Sequence, residues 1–479
     1  MEDSRLPVGD AAGQLAGILP LLPVLFLSYI LLLIPYRLWL HPLAHFPGPP
    51  AAAISNLYLG YYDFWKSGGL NDHLVTLHEK YGKVVRIGPN RIHFSTVRAY
   101  DAIYRNPKFL KDAWWYDAFH QSESTFGYID PAQAKERREI MRPLFSRKSV
   151  QKLEQCIQDC VDRLLVALAK VPADQEVDLF YAYLSVSLEV ITTYCFAKSY
   201  HAIEHPKFKL PFLVALQEGA SISFLFRHVP FIAPFVLGMP AWLAKLVSPG
   251  AAAIQAFFGS LEDQLKEVLK DPSTLDRTEH EIICHHLLNP KSQKPLSWNS
   301  LREEASLMIA AGSDTVGATA TIGTYHVLRN AKVKKRLREE LVAAWPDPDS
   351  PMPWEKLEKI PYLTAVVKES LRMAHGTVSP LPRVVPEDQV IASVTVPAGT
   401  VVAMNSTFVH LNEGVFFNAR SFNPDRWLEH TSNDLDSYLV AFSKGPRSCL
   451  GINLAWAELY LILGNVFRKA NLEISPKTT

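Results

Sequence analysis

A run of 22 residues without one charge, LAGILPLLPVLFLSYILLLIPY (15–36), stands near the start of this chain and constrains the rest of it. A helix needs about 20 apolar residues to cross roughly 30 Å of hydrocarbon, so the run predicts a membrane-spanning anchor. A cleaved signal peptide is the competing reading, and it expects a basic segment ahead of a shorter apolar stretch. Here Glu2, Asp3 and Asp10 precede the run with only Arg5 against them, and Arg37 and His41 come after it. That asymmetry places the larger C-terminal part in the cytosol. The prolines of HPLAHFPGPP (41–50) predict a stiff, extended linker. Beyond it the chain shows no repeat, low-complexity tract or second linker. The expected organisation is a lumenal tail over 1–14, a transmembrane anchor over 15–36, a proline-rich hinge over 37–50 and one large domain over 51–479.

Composition narrows what that domain does. An apolar share of 48% suffices for a core, and a net charge of +1 gives no basis for binding nucleic acid. The five cysteines (Cys156, Cys160, Cys195, Cys284, Cys449) show no CxxC spacing and too few clustered ligands for zinc. Reduced thiols on the cytosolic side are expected. YGKVVRIGPNRIHFS (81–95) alternates around a Gly-Pro-Asn turn and predicts a β-hairpin. Helical periodicity covers 149–171, 178–196, 251–270 and 297–329, and strand signals return over 390–405. The fold class is mainly α with small peripheral β-sheets, a body suited to a cofactor buried between helices.

Four short stretches carry chemistry. In AAGSDT (310–315), inside the long 297–329 helix, Gly312 costs about 1 kcal/mol relative to alanine. With Ala311 it lets another body approach closely. Thr315 can bond back to a carbonyl and open the helix, leaving Asp314 and Thr315 as a carboxylate and a hydroxyl able to move protons. A packing notch with a solvated aspartate is the alternative. In KESLR, Glu369 and Arg372 stand three residues apart on one face of an apolar-faced helix, and Arg426 of FNPDRW is a further partner should that pair be buried. FSKGPRSCLG (442–451) holds Cys449 in a tight basic turn where a loop becomes a helix, and a helix N-terminus favours a thiolate. On these residues alone, nucleophile, metal ligand and buried side chain all stay open for Cys449.

In this order the stretches AGSDT, ESLR, FNPDRW and FSKGPRSCLG resemble the cytochrome P-450 haem-thiolate monooxygenases, whose cysteine signature is matched by Phe442, Gly445, Arg447, Cys449 and Gly451. The anchor, hinge and hairpin extend the likeness over nearly the whole chain. The resemblance implies the cytochrome P-450 fold around a buried haem b, with Cys449 as axial ligand of the iron and Phe442 beside the haem. Ala311 and Gly312 would leave room for dioxygen, and Asp314 and Thr315 would deliver protons there. Glu369, Arg372 and Arg426 would form the buried network that holds the cysteine loop. Arg138, Arg383 and Arg447 match positions that hold the haem propionates. Ala134 stands where the family carries an aromatic residue or histidine, so one propionate contact is expected to be missing. Trp115, Phe119, Phe126, Met308, Val378 and Leu381 are candidates for the substrate pocket. Arg137, Arg138, Arg142, Arg147, Lys148 and Lys444 would gather on the proximal face as a docking patch for an acidic reductase.

The implied activity is that of a single-pass enzyme of the endoplasmic reticulum membrane, its catalytic domain cytosolic. It would use dioxygen and electrons from NADPH through NADPH-cytochrome P-450 reductase. The chain looks most like fungal enzymes of the trichodiene-oxygenase and pisatin-demethylase sort. That implies hydroxylation or repeated oxidation of an apolar secondary metabolite, a terpenoid or related; xenobiotic detoxification is an alternative. One departure is that only 28 residues follow Gly451, so the hairpin that family members place against the substrate pocket is expected to be short or absent. This leaves room for an isomerase or dehydratase, or for a haem-binding protein without turnover.

Overall fold

The computed structural model describes residues 21–66, 68–172, 174–219, 222–288, 296–429 and 432–477. Leu21–Pro35 is a helix that continues through a π-turn at Tyr36–Leu40. Leu25, Leu31, Leu32, Trp39 and Leu40 are exposed along it, so no protein covers its apolar surface. Over Pro23–Leu40 it is long and apolar enough to cross a membrane. Positions 15–20 of the expected span lie outside the described residues. Leu179–Phe196 meets the same criteria of length and apolarity, yet Leu184, Leu188 and Tyr194 are wholly buried in the interior. What covers each helix, rather than its composition, separates an anchor from a core element.

The hinge departs from the expected extended spacer. Residues 36–40 are still helical, and 41–46 fold into turns closed by the Ala44 amide on the His41 carbonyl (2.8 Å). Leu43 and Phe46 are buried in the core, and the Arg86 amide donates to the Pro47 carbonyl (2.7 Å). Apolar side chains between the prolines thus dock the hinge onto the first strand. The 149–171 pattern is also two helices, Arg147–Lys152 and Glu154–Ala169, because Leu153 leaves helical geometry between them.

The predicted hairpin is β1 (Val84–Gly88) with β2 (Arg91–Phe94). It joins β3 (Leu110–Lys111), β4 (Arg383–Val384) and β7 (Val401–Ala403) in one sheet of order β1-β2-β7-β4-β3, with β2 and β7 parallel. A separate hairpin pairs β5 (Gln389–Ile391) with β6 (Val394–Val396).

The core is built around the long helix Trp298–Arg329, capped by the Ser297 side chain, lying against Leu179–Phe196. Their closest approach is at glycines. A Cβ on Gly317 would stand 2.9 Å from the Leu184 backbone nitrogen, and one on Gly312 would stand 2.6 Å from Ile191 Cγ1. The body that approaches Gly312 is the neighbouring helix, as the packing alternative expected, and Gly312 also lines an internal cavity.

Candidate active site

Cys449 is presented by a loop whose backbone demands particular residues. Ser443 and Gly445 have φ of 58° and 72°, and a side chain on Gly445 would run into the Tyr104 carbonyl, so only glycine fits there. The Cys449 amide donates to the Phe442 carbonyl (2.8 Å), and Arg138 donates to the Ser448 carbonyl (2.8 Å). The helix Ile452–Lys469 begins just beyond, with Gly451 at its N-cap. Protein surrounds Cys449, yet the side chain keeps accessible surface because it faces an internal cavity. Burial pushes its thiol up from the ordinary value, while the Gly451 amide and Arg138 pull it down. Burial outweighs the helix terminus here, contrary to the expectation from sequence. Binding to a metal cation is what would deprotonate the sulfur.

The long helix lines the same cavity through Ala311, Gly312 and Thr315. The Thr315 hydroxyl donates to the Ala311 carbonyl (2.9 Å), but the helix runs on without a break, so the expected opened turn is not there. Asp314 does not line the cavity. It points to the next sector of the helix, where Gln217 donates to its carboxylate (2.7 Å).

Phe442, Phe126, Met308 and Leu381 do line the cavity. Trp115 and Phe119 do not. They pack behind Phe126, with ring centroids 6.4 and 5.5 Å from its ring. Val378 is also absent from the wall, because Thr377, Ser379 and Leu381 alternate into the cavity and leave Val378 exposed on the other side.

Lys111, Arg138 and Arg447 line this cavity, and Arg383, which is not part of its wall, stands beside Lys111 as a fourth cation. Lys111 on β3 stands directly opposite Arg383 on β4 in antiparallel register, and like charges so placed repel. Arg138 and Arg447 add two more. Lys111 donates to the Phe126 carbonyl, Arg383 to the Tyr116 hydroxyl (2.7 Å), and Arg447 to the carbonyls of Ile129 and Asp130 (both 3.2 Å). The Arg447 Nη1 is buried without a partner. Among the described residues none of the four forms an ion pair. Burial, then Arg383, Arg447 and Arg138, hold Lys111 well below its ordinary pKa, and burial with Arg383 brings Arg447 to about 10. Such a cluster is costly unless an anion enters. The two carboxylates of a haem fit it, with the Cys449 sulfur facing the same cavity.

Lys111 belongs to no motif, and only strand register brings it here. Ala134 is buried and carries no polar group to offer an anion, whereas Lys111 lines the cavity and does. Lys111→Met is expected to release haem to apomyoglobin about tenfold faster, as the loss of one charge-assisted bond implies. An unchanged transfer rate would remove Lys111 from the cradle.

Glu369, Arg372 and Arg426 come together as one wholly or nearly buried cluster, at 2.8 and 3.2 Å from Glu369 Oε1. The basic surface is smaller than the sequence suggested. Arg137 is buried against Glu304 (3.1 Å), Arg147 pairs with Glu358 (2.5 Å) and Lys444 with Asp101 (2.6 Å). Arg142 and Lys148 remain exposed.

A planar, dianionic macrocycle held by one sulfur is the arrangement of haem-thiolate proteins. The chain belongs to the cytochrome P450 family, whose model matches residues 47–479. It is 34% identical over 453 residues to cytochrome P450 monooxygenase tpcC of Cochliobolus heterostrophus, covering 92% of this chain and 86% of that one. It is 32% identical over 472 residues to cytochrome P450 monooxygenase flvC of Aspergillus flavus, covering 91% and 87%. Over 470 residues it is 32% identical to the N-acetyltryptophan 6-hydroxylase ivoC of Emericella nidulans, covering 96% and 91%. The chain is a cytochrome P450 monooxygenase of the kind found in fungal secondary metabolism. Haem bound through a thiolate supplies the oxygen-activating centre, the sulfur's electron push favouring O–O cleavage.

Proposed function

We propose that this monooxygenase draws NADPH-derived electrons from a cytochrome P-450 reductase and hydroxylates, or oxidises in steps, an apolar secondary metabolite such as a terpenoid. The observation that carries this reading is Thr315, its hydroxyl on a small-residue helix wall of the same cavity that Cys449 lines. Phe126, Met308 and Leu381 supply an apolar lining for the substrate. Thr315 is the group at hand to hold a proton in this cavity. Asp314, on the neighbouring sector, would have to leave Gln217 to join it. Arg138, Arg383, Arg447 and Lys111 orient the cofactor, and Glu369, Arg372 and Arg426 brace the loop beneath.

The same reading puts the protein at the endoplasmic-reticulum membrane; the exposed apolar helix supports it, as does a second apolar surface. Phe231, Phe235, Trp242 and Leu246 are all exposed. The segment that carries them follows Arg227, which is tied to Asp63 (3.2 Å) not far beyond the anchor. A second exposed apolar surface suits contact with a bilayer.

The test is NADPH consumption with reductase in phospholipid vesicles, across a panel of apolar terpenoids. Consumption that rises with a bound terpenoid and yields oxygenated product is expected. Tight haem binding with no substrate-dependent consumption would sink the reading. Thr315→Ala should keep its haem while diverting most reducing equivalents into hydrogen peroxide. Tightly coupled product formation in that variant would exclude Thr315 from proton delivery.

A further inference from the structure

We propose that Glu304 is a positioning residue for substrate selection: paired with Arg137, it clamps residues 121–130 to the long helix and holds Phe126 as a fixed wall of the cavity. The proposal rests on the monooxygenase function only in taking that cavity as the substrate's.

Residues 121–130 contain no helix or strand, and such a segment is ordinarily among the first to open. Here it is tied on both sides of Phe126. The Glu304 carboxylate accepts from the Thr125 amide (2.8 Å) and from Arg137 (3.1 Å). Arg137 donates in turn to the Ser300 hydroxyl (2.8 Å), which donates to the Glu123 carbonyl (2.7 Å). The Glu123 amide donates to the Glu303 carboxylate (2.7 Å), and Lys111 donates to the Phe126 carbonyl.

Glu304 is wholly buried and the Arg137 side chain is 5% exposed. A buried ion pair seldom stabilises a fold by itself, so one that gathers backbone groups of a loop points to a positional role. Met308 lies one helical turn after Glu304 and lines the cavity beside Phe126. The helix that carries the clamp therefore also carries part of the wall that the clamp completes. A ligand too bulky for the closed wall must break these bonds to enter, and a slim one need not.

The experiment uses the full-length holoprotein and two haem-binding probes of different bulk, imidazole and clotrimazole. In Glu304→Ala, amides in 121–130 should exchange hydrogen faster, and affinity for clotrimazole relative to imidazole should rise about tenfold. Glu304→Gln keeps an acceptor for the Thr125 amide and should stay within about threefold of wild type. An unchanged ratio and unchanged exchange in a folded Glu304→Ala protein would overturn the proposal. Should Glu304→Ala fail to fold, Ser300→Ala, which removes the hydroxyl link between Arg137 and Glu123 and leaves Glu304 in place, is measured instead. The same two shifts, smaller, are expected there, and their absence overturns the clamp. The carbon-monoxide spectrum separates the two levels: a wild-type protein lacking the thiolate band would refute the haem-thiolate reading, while exchange in 121–130 still tests the clamp.

Discussion

Replacing Cys449 with serine removes the far red-shifted Soret band of the reduced carbon-monoxide complex and brings turnover below detection. The expected effect is this large because the sulfur acts twice. It is the one side chain of the loop that could bind iron as an anion, and as ligand it would supply the electron push on which the chemistry depends. Serine has nearly the same shape, and the bond from residue 449 to the Phe442 carbonyl is made by the backbone. The loop therefore keeps its geometry, and the comparison isolates the ligand. Wild type and variant are read side by side in the reduced carbon-monoxide difference spectrum. A wild-type spectrum typical of histidine-ligated haem would overturn Cys449 as the ligand. His375 would then be the residue to test, since it is the histidine lining this cavity among the described residues. Burial, then Arg372, holds it down at about 4, so it is neutral and able to ligate.

Glu369→Ala is the second large effect, and it acts on stability. One carboxylate accepts from Arg372 Nε and Nη2, Arg426 Nε, the Asn423 amide and the Trp427 indole, all at 2.8–3.2 Å. Truncation leaves two guanidinium groups buried with no anion, a loss of about 3–5 kcal/mol. Typical domain stability is about 5–15 kcal/mol, so little haem-loaded protein should accumulate. The damage reaches the site by a short path. Arg372 also donates to the His410 carbonyl (2.7 Å), and the His410 ring accepts from the Val440 amide (2.9 Å), two residues before Phe442. The urea midpoint and the haem-to-protein ratio are expected to fall together. Glu369→Gln, which keeps the acceptors and removes the charge, should lose less. A Glu369→Ala protein with wild-type midpoint and full haem content would show that the cluster carries no load.

Five local features were legible in the chain because each depends on near neighbours. An uncharged apolar run of this length makes a candidate membrane span. Alternation about Gly-Pro-Asn makes β1 and β2. Ser297 and the periodicity after it delimit the long helix to within one residue. The spacing of Glu369 and Arg372 puts both on one helix face, and the cysteine turn is forced by Gly445. Motif order then added the family, and with it the cofactor.

The tertiary structure decided how side chains from distant segments meet. Lys111 faces Arg383 only because β3 and β4 pair, and neither segment signals the other. Asp314 and Thr315 are adjacent in sequence, yet the helical turn between them sends one to Gln217 and the other to the cavity. Trp115 and Phe119 have the character of pocket aromatics, but the Phe126 ring separates them from the cavity. Arg137 and Arg138 are alike in type and adjacent, but one is buried against Glu304 and the other reaches the cysteine loop. Residue type and spacing set what each segment can become. Burial and charge neighbourhood, which set what each side chain does, exist only once the chain has closed on itself.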